Sequence, residues 1–96
     1  MSIITIVAKL IVKEDAVETV KTELLKMIEP TRQEAGCLEY RLHQDNTDHT
    51  VFVFYENWKD MASFELHLTT PHFLSYVDAV ADGLVDKVVH KMTCIA

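Results

Sequence analysis

Apolar and polar residues alternate along four stretches of the chain, and this pattern predicts four β-strands. Successive side chains of a strand point to opposite faces of a sheet, so a strand covered on one face shows an apolar residue at every second position. The predicted strands span residues 3–12, 37–44 and 85–95, and another, third in chain order, begins at Val51. The first strand is apolar at both parities, which indicates a central strand covered on both faces.

Two further stretches repeat their apolar residues every three or four positions and therefore predict helices. Asp15 is placed to cap the first helix, Pro30 to kink or end it, and Gly36 to follow its end. Asp60 is placed to cap the second helix, and the pair Thr70-Pro71 restarts it with a new cap and a proline in the first turn. The resulting order of elements is β-α-β-β-α-β.

This order is typical of the ferredoxin-like α+β fold, in which the helices pack on one face of an antiparallel sheet. We expect one such domain over residues 1–96. The opposite face would then carry a contiguous set of apolar side chains, namely Ile3, Val7, Ile11, Val51, Val53 and Tyr55. A monomer rarely exposes that much apolar surface, whereas two sheets can pack face to face. The pattern therefore predicts a homodimer formed through the sheet faces.

The net charge of the chain and the length of its apolar runs argue against two classes of partner, nucleic acids and membranes. The 96-residue chain has a net charge of −6 and no cluster of Lys or Arg, which argues against nucleic-acid binding because phosphate contacts need a basic patch. No apolar run approaches the ~20 residues of a membrane span, and no secretion leader is apparent. We therefore expect a cytoplasmic protein with reduced thiols. Cys37 and Cys94 fall on opposite edges of the predicted sheet, too far apart for a disulfide.

The third predicted strand ends in a group of residues typical of a small-molecule site. Glu56 and Trp58 stand two positions apart, so both side chains point to one face of the sheet. His67 follows Trp58 by nine residues, on the next predicted helix. A carboxylate, an indole and an imidazole beneath a helix would form a small apolar pocket with a few polar groups, the usual form of such a site.

Two ordered sequence patterns carry a resemblance to a known family. They are Tyr55-Glu56-x-Trp58-Lys59-Asp60, followed by His67 and Pro71-His72-Phe73, and the earlier Glu34-x-Gly36-Cys37-Leu38-x-Tyr40. With these patterns the chain resembles the antibiotic biosynthesis monooxygenase family, and most of all its small quinol monooxygenase-like members. The resemblance implies a dimeric α+β barrel with one pocket per protomer between the sheet and the helices. It also implies oxidation of phenols or hydroquinones by O2 without a metal or flavin, and hence no cofactor.

The resemblance also allows two other activities, and each of them requires particular residues. Haem-degrading members carry an asparagine and a haem-binding histidine at positions that here hold Ala8 and Val77, so haem degradation is disfavoured. The segment from Tyr55 to Phe73 also resembles an isomerase of the phosphorylated signal autoinducer-2. That activity needs a phosphate site, for which Thr69, Thr70 and His72 at a helix N-terminus are the candidates. A dimer that binds a small ligand without turnover is a third interpretation.

His67 and Glu56 are the candidate catalytic residues of the predicted pocket. An imidazole has an unperturbed pKa near 6.5 and can accept a phenolic proton at neutral pH, so His67 is the expected general base. Its structural alternative is a helix histidine that packs beside Phe64. Glu56 would orient His67 or hold a substrate hydroxyl, unless it forms an ion pair with Arg41 or a lysine.

The candidate substrate-binding residues are Trp58, Tyr40, Phe54, Phe64 and His72. Trp58 offers a flat surface for an aromatic ring. Tyr40 would lie opposite Phe54 if the turn between the second and third strands pairs Gln44 with Thr50. His72 is five positions from His67, so the two do not share one helix face as an i, i+4 metal-binding pair would. No metal site is therefore expected.

Overall fold

Four antiparallel strands form a single sheet in the order β2-β3-β1-β4, with the helices packed on one of its faces. The strands of this computed structural model, which describes residues 2–96, are β1 (Ile4–Val12), β2 (Cys37–Gln44), β3 (Val51–Trp58) and β4 (Leu84–Met92). The helices are α1 (Val17–Leu25), α2 (Ile28–Arg32), α3 (Met61–His67) and α4 (Pro71–Val80). The predicted β-α-β-β-α-β order and the ferredoxin-like α+β fold are confirmed.

β1 occupies the centre of the sheet, between β3 and β4, as its double-sided apolar pattern predicts. Its even-numbered residues face the helices, and all of them are buried: Ile4, Ile6, Ala8, Leu10 and Val12. They form the core together with Phe52, Phe54 and Trp58 of β3 and the apolar stripes of α1, α3 and α4. Burial of these side chains is the main stabilising term of the fold.

The first predicted helix is divided in two, and the prediction for Asp15 is wrong. Asp15 lies inside a short 3₁₀ turn, Glu14–Ala16, and caps nothing. The break falls at Lys26 and Met27, upstream of Pro30, which sits within α2. A proline has no N–H for the carbonyl four residues earlier and its ring clashes with that carbonyl, here the one of Lys26. The chain therefore bends before the proline and turns toward β2.

Gly36 serves close packing rather than a left-handed turn after the helix. No glycine has a positive φ within residues 2–96. A Cβ atom at position 36 would instead overlap with Cβ and Oγ of Ser63, in the first turn of α3. The glycine thus lets the loop between α2 and β2 lie directly against α3.

Both caps of the second helical region are confirmed. Asp60 Oδ1 accepts a hydrogen bond of 2.8 Å from the backbone N–H of Ser63 at the start of α3. Thr70 Oγ1 accepts one of 3.2 Å from the N–H of Phe73 at the start of α4, whose first residue is Pro71. The two caps fix the bend between α3 and α4, and this bend determines where their histidines point.

The register of β2 against β3 differs from the predicted one. Gln44 pairs with Phe52 rather than with Thr50, so Tyr40 lies opposite Glu56 and not opposite Phe54. Thr50 instead belongs to the turn, where its hydroxyl is hydrogen-bonded to Asp48. The shift brings the Tyr40 ring directly beside the carboxylate at the end of β3.

The face of the sheet away from the helices carries the expected apolar residues. Val7, Ile11, Val51 and Val53 are half-buried, whereas Ile3 and Tyr55 are 52% and 37% exposed. A polar network crosses the same face, since Asn57 Oδ1 accepts from Thr5 Oγ1 at 2.6 Å and Asn57 Nδ2 donates to Glu39 at 2.9 Å. β4 ends at Met92, three residues before the predicted limit. Over residues 2–96, none of the helices has the length and apolarity needed to span a membrane.

Candidate functional site

Glu56 and Trp58 lie side by side at the end of β3, beneath the helices, as their spacing predicts. Trp58 Nε1 donates a hydrogen bond of 2.9 Å to Glu56 Oε1. Only 4% of the Glu56 surface is exposed. Burial raises the pKa of Glu56 to about 7, although the Trp58 hydrogen bond and the positive charge of Lys87 oppose that rise. At neutral pH this carboxyl group therefore exchanges a proton readily.

His67 occupies the last turn of α3 and is buried against aromatic residues of the sheet. Its ring centroid lies 4.8 Å from that of Trp58 and 5.9 Å from that of Tyr40. Phe64, one turn earlier on α3, and Phe73 on α4 complete the contacts at 6.3 Å and 5.1 Å. The structure therefore brings Glu56, Trp58 and His67 together.

The carboxylate that holds His67 is Glu34, not Glu56. Glu34 lies in the loop after α2, and its Oε2 is 2.6 Å from His67 Nδ1. The same oxygen is 2.7 Å from Nε2 of His72 in the first turn of α4. The alternative for Glu56, an ion pair with Arg41, is not formed within residues 2–96, because Arg41 binds Glu39 at 2.6 Å. One carboxylate oxygen thus links three separate segments of the chain.

This contact assigns the two nitrogens of His67 different roles. An ionised carboxylate only accepts hydrogen bonds, so Nδ1 carries the proton and donates it to Glu34. Nε2 has no protein partner within residues 2–96 and is left with a free lone pair. Burial lowers the pKa of His67, and the hydrogen bond and charge of Glu34 only partly counter this effect. The imidazole is therefore neutral at pH 7 and able to accept a proton.

A cavity of about 40 Å³ opens beside His67. Its lining residues are Ile6, Ala8, Tyr40, Phe54, Glu56, Phe64, His67, Leu68, Phe73, Tyr76, Lys87 and Val89. Five of the seven predicted site residues are in this list; Trp58 stands behind Glu56, and His72 lies on the far side of Glu34. A volume of this size holds a few water molecules and is far below that of a pocket filled by a drug-sized ligand.

Lys87, a residue that sequence reasoning missed, lies on the wall of the cavity. It pairs with Leu10 across the sheet, so its side chain points to the helix side of β4. Its Nζ is 5.5 Å from the ring centroid of Phe73 and 5.1 Å from that of Tyr76, where a cation is attracted by the ring faces. Burial lowers the pKa of Lys87, and attraction by Glu56 opposes this effect. The period-two alternation of side chains along β4 is the sequence signal that would have placed Lys87 on the helix side of the sheet.

Tyr40 and Cys37, both on β2, stay protonated near this site. Burial, with a smaller contribution from Glu56, holds the pKa of Tyr40 far above its usual value. Its ring stacks on that of Phe54 at 5.1 Å, although the two residues are not directly opposite in the sheet. Burial and the charges of Glu34 and Glu56 raise the pKa of Cys37 to about 11, which agrees with an unreactive thiol. β2 and β4 are the two edges of the sheet, as expected.

The groups expected to bind phosphate are already engaged in hydrogen bonds. Thr69 Oγ1 donates to the carbonyl of Leu66 at 2.7 Å, and Thr70 Oγ1 donates to that of His67 at 2.8 Å. His72 contacts Glu34, whose negative charge would repel a phosphate. His67 and His72 belong to two helices joined by a bend, so both side chains reach Glu34 although they do not share the face of one helix.

Comparisons with known proteins agree over nearly the whole chain. The family model described as antibiotic biosynthesis monooxygenase matches residues 3–79. An uncharacterised protein of Synechocystis sp. is 32% identical over 93 residues, which are 97% of this chain but 63% of that protein's length. The chain thus spans less than two thirds of this relative.

Two crystal structures superpose closely on the fold. A Pseudomonas aeruginosa protein matches with a TM-score of 0.95 and 32% identity, covering 100% of this chain and 97% of the other. The crystal structure of an antibiotic biosynthesis monooxygenase matches with a TM-score of 0.92 and 32% identity, covering 97% of this chain and 99% of the other. On the evidence of its sequence, its fold and these matches, the chain belongs to the antibiotic biosynthesis monooxygenase family.

Proposed function

We propose that the protein is a monooxygenase that oxidises a small quinol or another phenolic aromatic compound with O2, using neither a metal nor a flavin. The observation that carries this proposal is the environment of His67. This imidazole is neutral, buried at the wall of an aromatic-lined cavity, and held through Nδ1 by Glu34 at 2.6 Å. Its Nε2 is then a fixed general base for a substrate hydroxyl.

The proposed reaction begins with the transfer of a phenolic proton to Nε2 of His67. The phenolate that results gives one electron to O2 far more readily than the phenol does, and superoxide then combines with the ring radical to form a hydroperoxide. Cleavage of its O–O bond leaves one oxygen atom on the ring and releases the other as water. The substrate itself supplies all the electrons, so the balance requires no external reductant.

Other cavity residues have supporting roles in this proposal. Glu56, with a pKa of about 7, donates or accepts a proton at a second substrate oxygen. Tyr40, Phe54 and Phe64 contact the substrate ring, and Lys87 stabilises negative charge on it as the phenolate forms. Trp58 fixes Glu56 through its N–H, and His72 acts through Glu34.

A ring-sized substrate requires the cavity to widen. Leu68 and Phe73 are half-buried wall residues at the bend between α3 and α4. Their side chains, together with the stem of Lys87, are the groups whose displacement would connect the cavity of about 40 Å³ to solvent. Binding is therefore expected to select flat aromatic substrates that slide between Phe73 and the sheet.

We also propose that the active form is a homodimer joined through the outer faces of two sheets, in the cytoplasm. The apolar residues of β1 and β3 on that face support the dimer, as does the exposed Val88 of β4, which pairs with Lys9 on the same face. Pairing two such faces would remove this surface from water.

The direct test is O2 uptake by metal-free protein with reduced naphthoquinones, corrected for autoxidation, with mass spectrometry of products formed under ¹⁸O2. We expect incorporation of one labelled atom, loss of the enzymatic rate in His67→Gln, and retention of the rate in His49→Gln, which changes an exposed histidine of the turn between β2 and β3. Uptake that never exceeds autoxidation across a broad panel of phenols and quinols would overturn the proposal.

The same experiment separates the two alternatives. Isomerisation of a phosphorylated dicarbonyl predicts no O2 consumption and a bound phosphate near Thr70, whose hydroxyl is already occupied. A non-catalytic ligand-binding dimer predicts saturable binding of an aromatic compound without turnover. Either result would count against the monooxygenase.

A further inference from the structure

We propose that Glu34, His67 and His72 form a binding site for a divalent first-row transition metal ion. Oε2 of Glu34, Nδ1 of His67 and Nε2 of His72 lie within 4.8 Å of one another, although they come from a loop and two helices. Within residues 2–96, no other group of three such side chains converges in this way. The inference goes beyond the proposed oxidation and does not depend on it.

The donor set suits zinc, cobalt, iron or copper rather than calcium or magnesium. Two imidazole nitrogens and one carboxylate oxygen are ligands that these metals prefer, and three protein ligands leave at least one position for water. Calcium and magnesium favour sites made of oxygen atoms alone. The chemistry of the three side chains therefore selects the class of ion.

A small movement of Glu34 would make room for the ion. Ligands bound at about 2.1 Å in a tetrahedral site stand about 3.4 Å from one another, whereas Glu34 Oε2 is now 2.6 Å and 2.7 Å from the two nitrogens. Glu34 lies in a loop, and 15% of its side chain is exposed, so a change of rotamer can supply the difference. His67 is fixed by its aromatic neighbours and would serve as the rigid ligand.

Solvent reaches the site from two sides without passing through the cavity. A cleft lined by Glu34, Gly36, Ser63 and Thr70 borders the carboxylate. A second cleft borders His72 and contains Glu23, Ser75 and Tyr76. The side chain of His72 is 22% exposed, so an ion can bind it first and then recruit His67.

Metal binding and the present hydrogen bonds exclude each other. An imidazole nitrogen that ligates a metal has lost its proton, so Nδ1 of His67 can no longer donate to Glu34. Occupancy by zinc would keep His67 in place but would change the basicity of its other nitrogen. The three side chains can therefore share a proton through hydrogen bonds or ligate a metal ion, but they cannot do both at once.

The test is titration of metal-stripped, tag-free protein with Co²⁺, followed by visible absorption, and with Zn²⁺, followed by calorimetry. No substrate is present, so the outcome is independent of whether the oxidation occurs. We expect one ion per chain, ligand-field bands of Co²⁺, and a shift of the His67 and His72 side-chain ¹⁵N resonances on addition of Zn²⁺. The last readout identifies the ligands in the unmodified protein, even if a variant folds poorly.

Three variants complete the experiment. Glu34→Gln and His72→Gln are each expected to weaken Co²⁺ binding about tenfold or more. His90→Gln, which removes an exposed histidine of β4, is the matched control and should bind as the wild type does. Absence of saturable binding in the wild type, or equal affinity in the wild type, Glu34→Gln and His72→Gln, would overturn the proposal.

Discussion

Glu34 and His67 are 33 positions apart in the sequence, and their side chains meet at 2.6 Å. His67 is buried, and an imidazole N–H without a partner in that position would cost free energy. Glu34 removes this cost and at the same time determines which nitrogen faces the cavity. The contact therefore joins the stability of the fold to the chemistry of the site.

Replacement of Glu34 by alanine should lower both the stability of the fold and the pKa of His67. We expect Glu34→Ala to lower the free energy of unfolding by about 1–3 kcal/mol, because Nδ1–H of His67 is left without an acceptor. The pKa of His67 should fall further below its ordinary value, since Glu34 is the group that now raises it. Chemical denaturation and NMR titration measure the two effects. Glu29→Ala, at an exposed position of α2, is the control, and an equal loss in both variants would contradict the assigned role.

The sequence alone was sufficient for the strands and for the part of the site that is local in the chain. Glu56 and Trp58 share a face because they are two positions apart in one strand, and this periodicity holds wherever the strand lies. Asp60 and Thr70 cap their helices because a cap depends on residues only three positions away. Features that depend on residues close together in the sequence can thus be predicted without knowledge of the fold.

The remainder of the site depends on contacts that no local pattern contains. The partner of His67 is brought in by the bend before Pro30, which turns the loop carrying Glu34 toward α3. The neighbour of Tyr40 depends on a shift of strand register that is set by the turn chemistry of Asp48 and Thr50. Glu34 was in the recognised motif, but only its three-dimensional position reveals its contact.

Lys87 should control the protonation of Glu56 across the cavity. Its positive charge lowers the pKa of Glu56, so Lys87→Met is expected to raise that pKa above its present value of about 7. Titration followed by ¹³C NMR of the Glu56 carboxyl carbon measures the change. Lys91→Met removes the same charge from an exposed position of β4 that does not line the cavity, and it should leave the titration unchanged. An unaltered Glu56 titration in Lys87→Met would contradict this coupling.

The ionisation of Glu56 should make the fold less stable at alkaline pH. Its pKa is raised from 4.5 to about 7 by burial, so the folded state binds this proton more tightly than the unfolded state does. The resulting stability is fully present below about pH 4.5 and is lost as the pH rises through 7, a difference of about 3 kcal/mol. Denaturation at several pH values should show that Glu56→Gln lacks this loss. Glu65→Gln, at an exposed site of α3, should retain the wild-type profile.

Gly36 should be replaceable only together with Ser63. In Gly36→Ala the new Cβ overlaps with the Ser63 side chain, and we expect a destabilisation of about 1–3 kcal/mol from the forced displacement of the loop. Ser63→Gly removes the obstacle and alone costs up to about 1 kcal/mol in the helix. The double variant should therefore be more stable than the sum of the single effects predicts. Strict additivity in denaturation experiments would show that this close approach is unimportant.

The outer face of the sheet offers a test of the proposed homodimer. Val53 lies near the middle of that face, half-buried in one chain, and would be fully buried between two packed sheets. Val53→Glu would place a carboxylate there, opposite Lys9, and the cost of removing these two charges from water between packed sheets should shift the protein to monomers at micromolar concentration. Thr19→Glu adds the same charge on the exposed side of α1 and should leave the assembly intact. Sedimentation equilibrium distinguishes the two species; a wild-type chain that sediments as a monomer, or a Val53→Glu variant that stays dimeric, would rule out this interface.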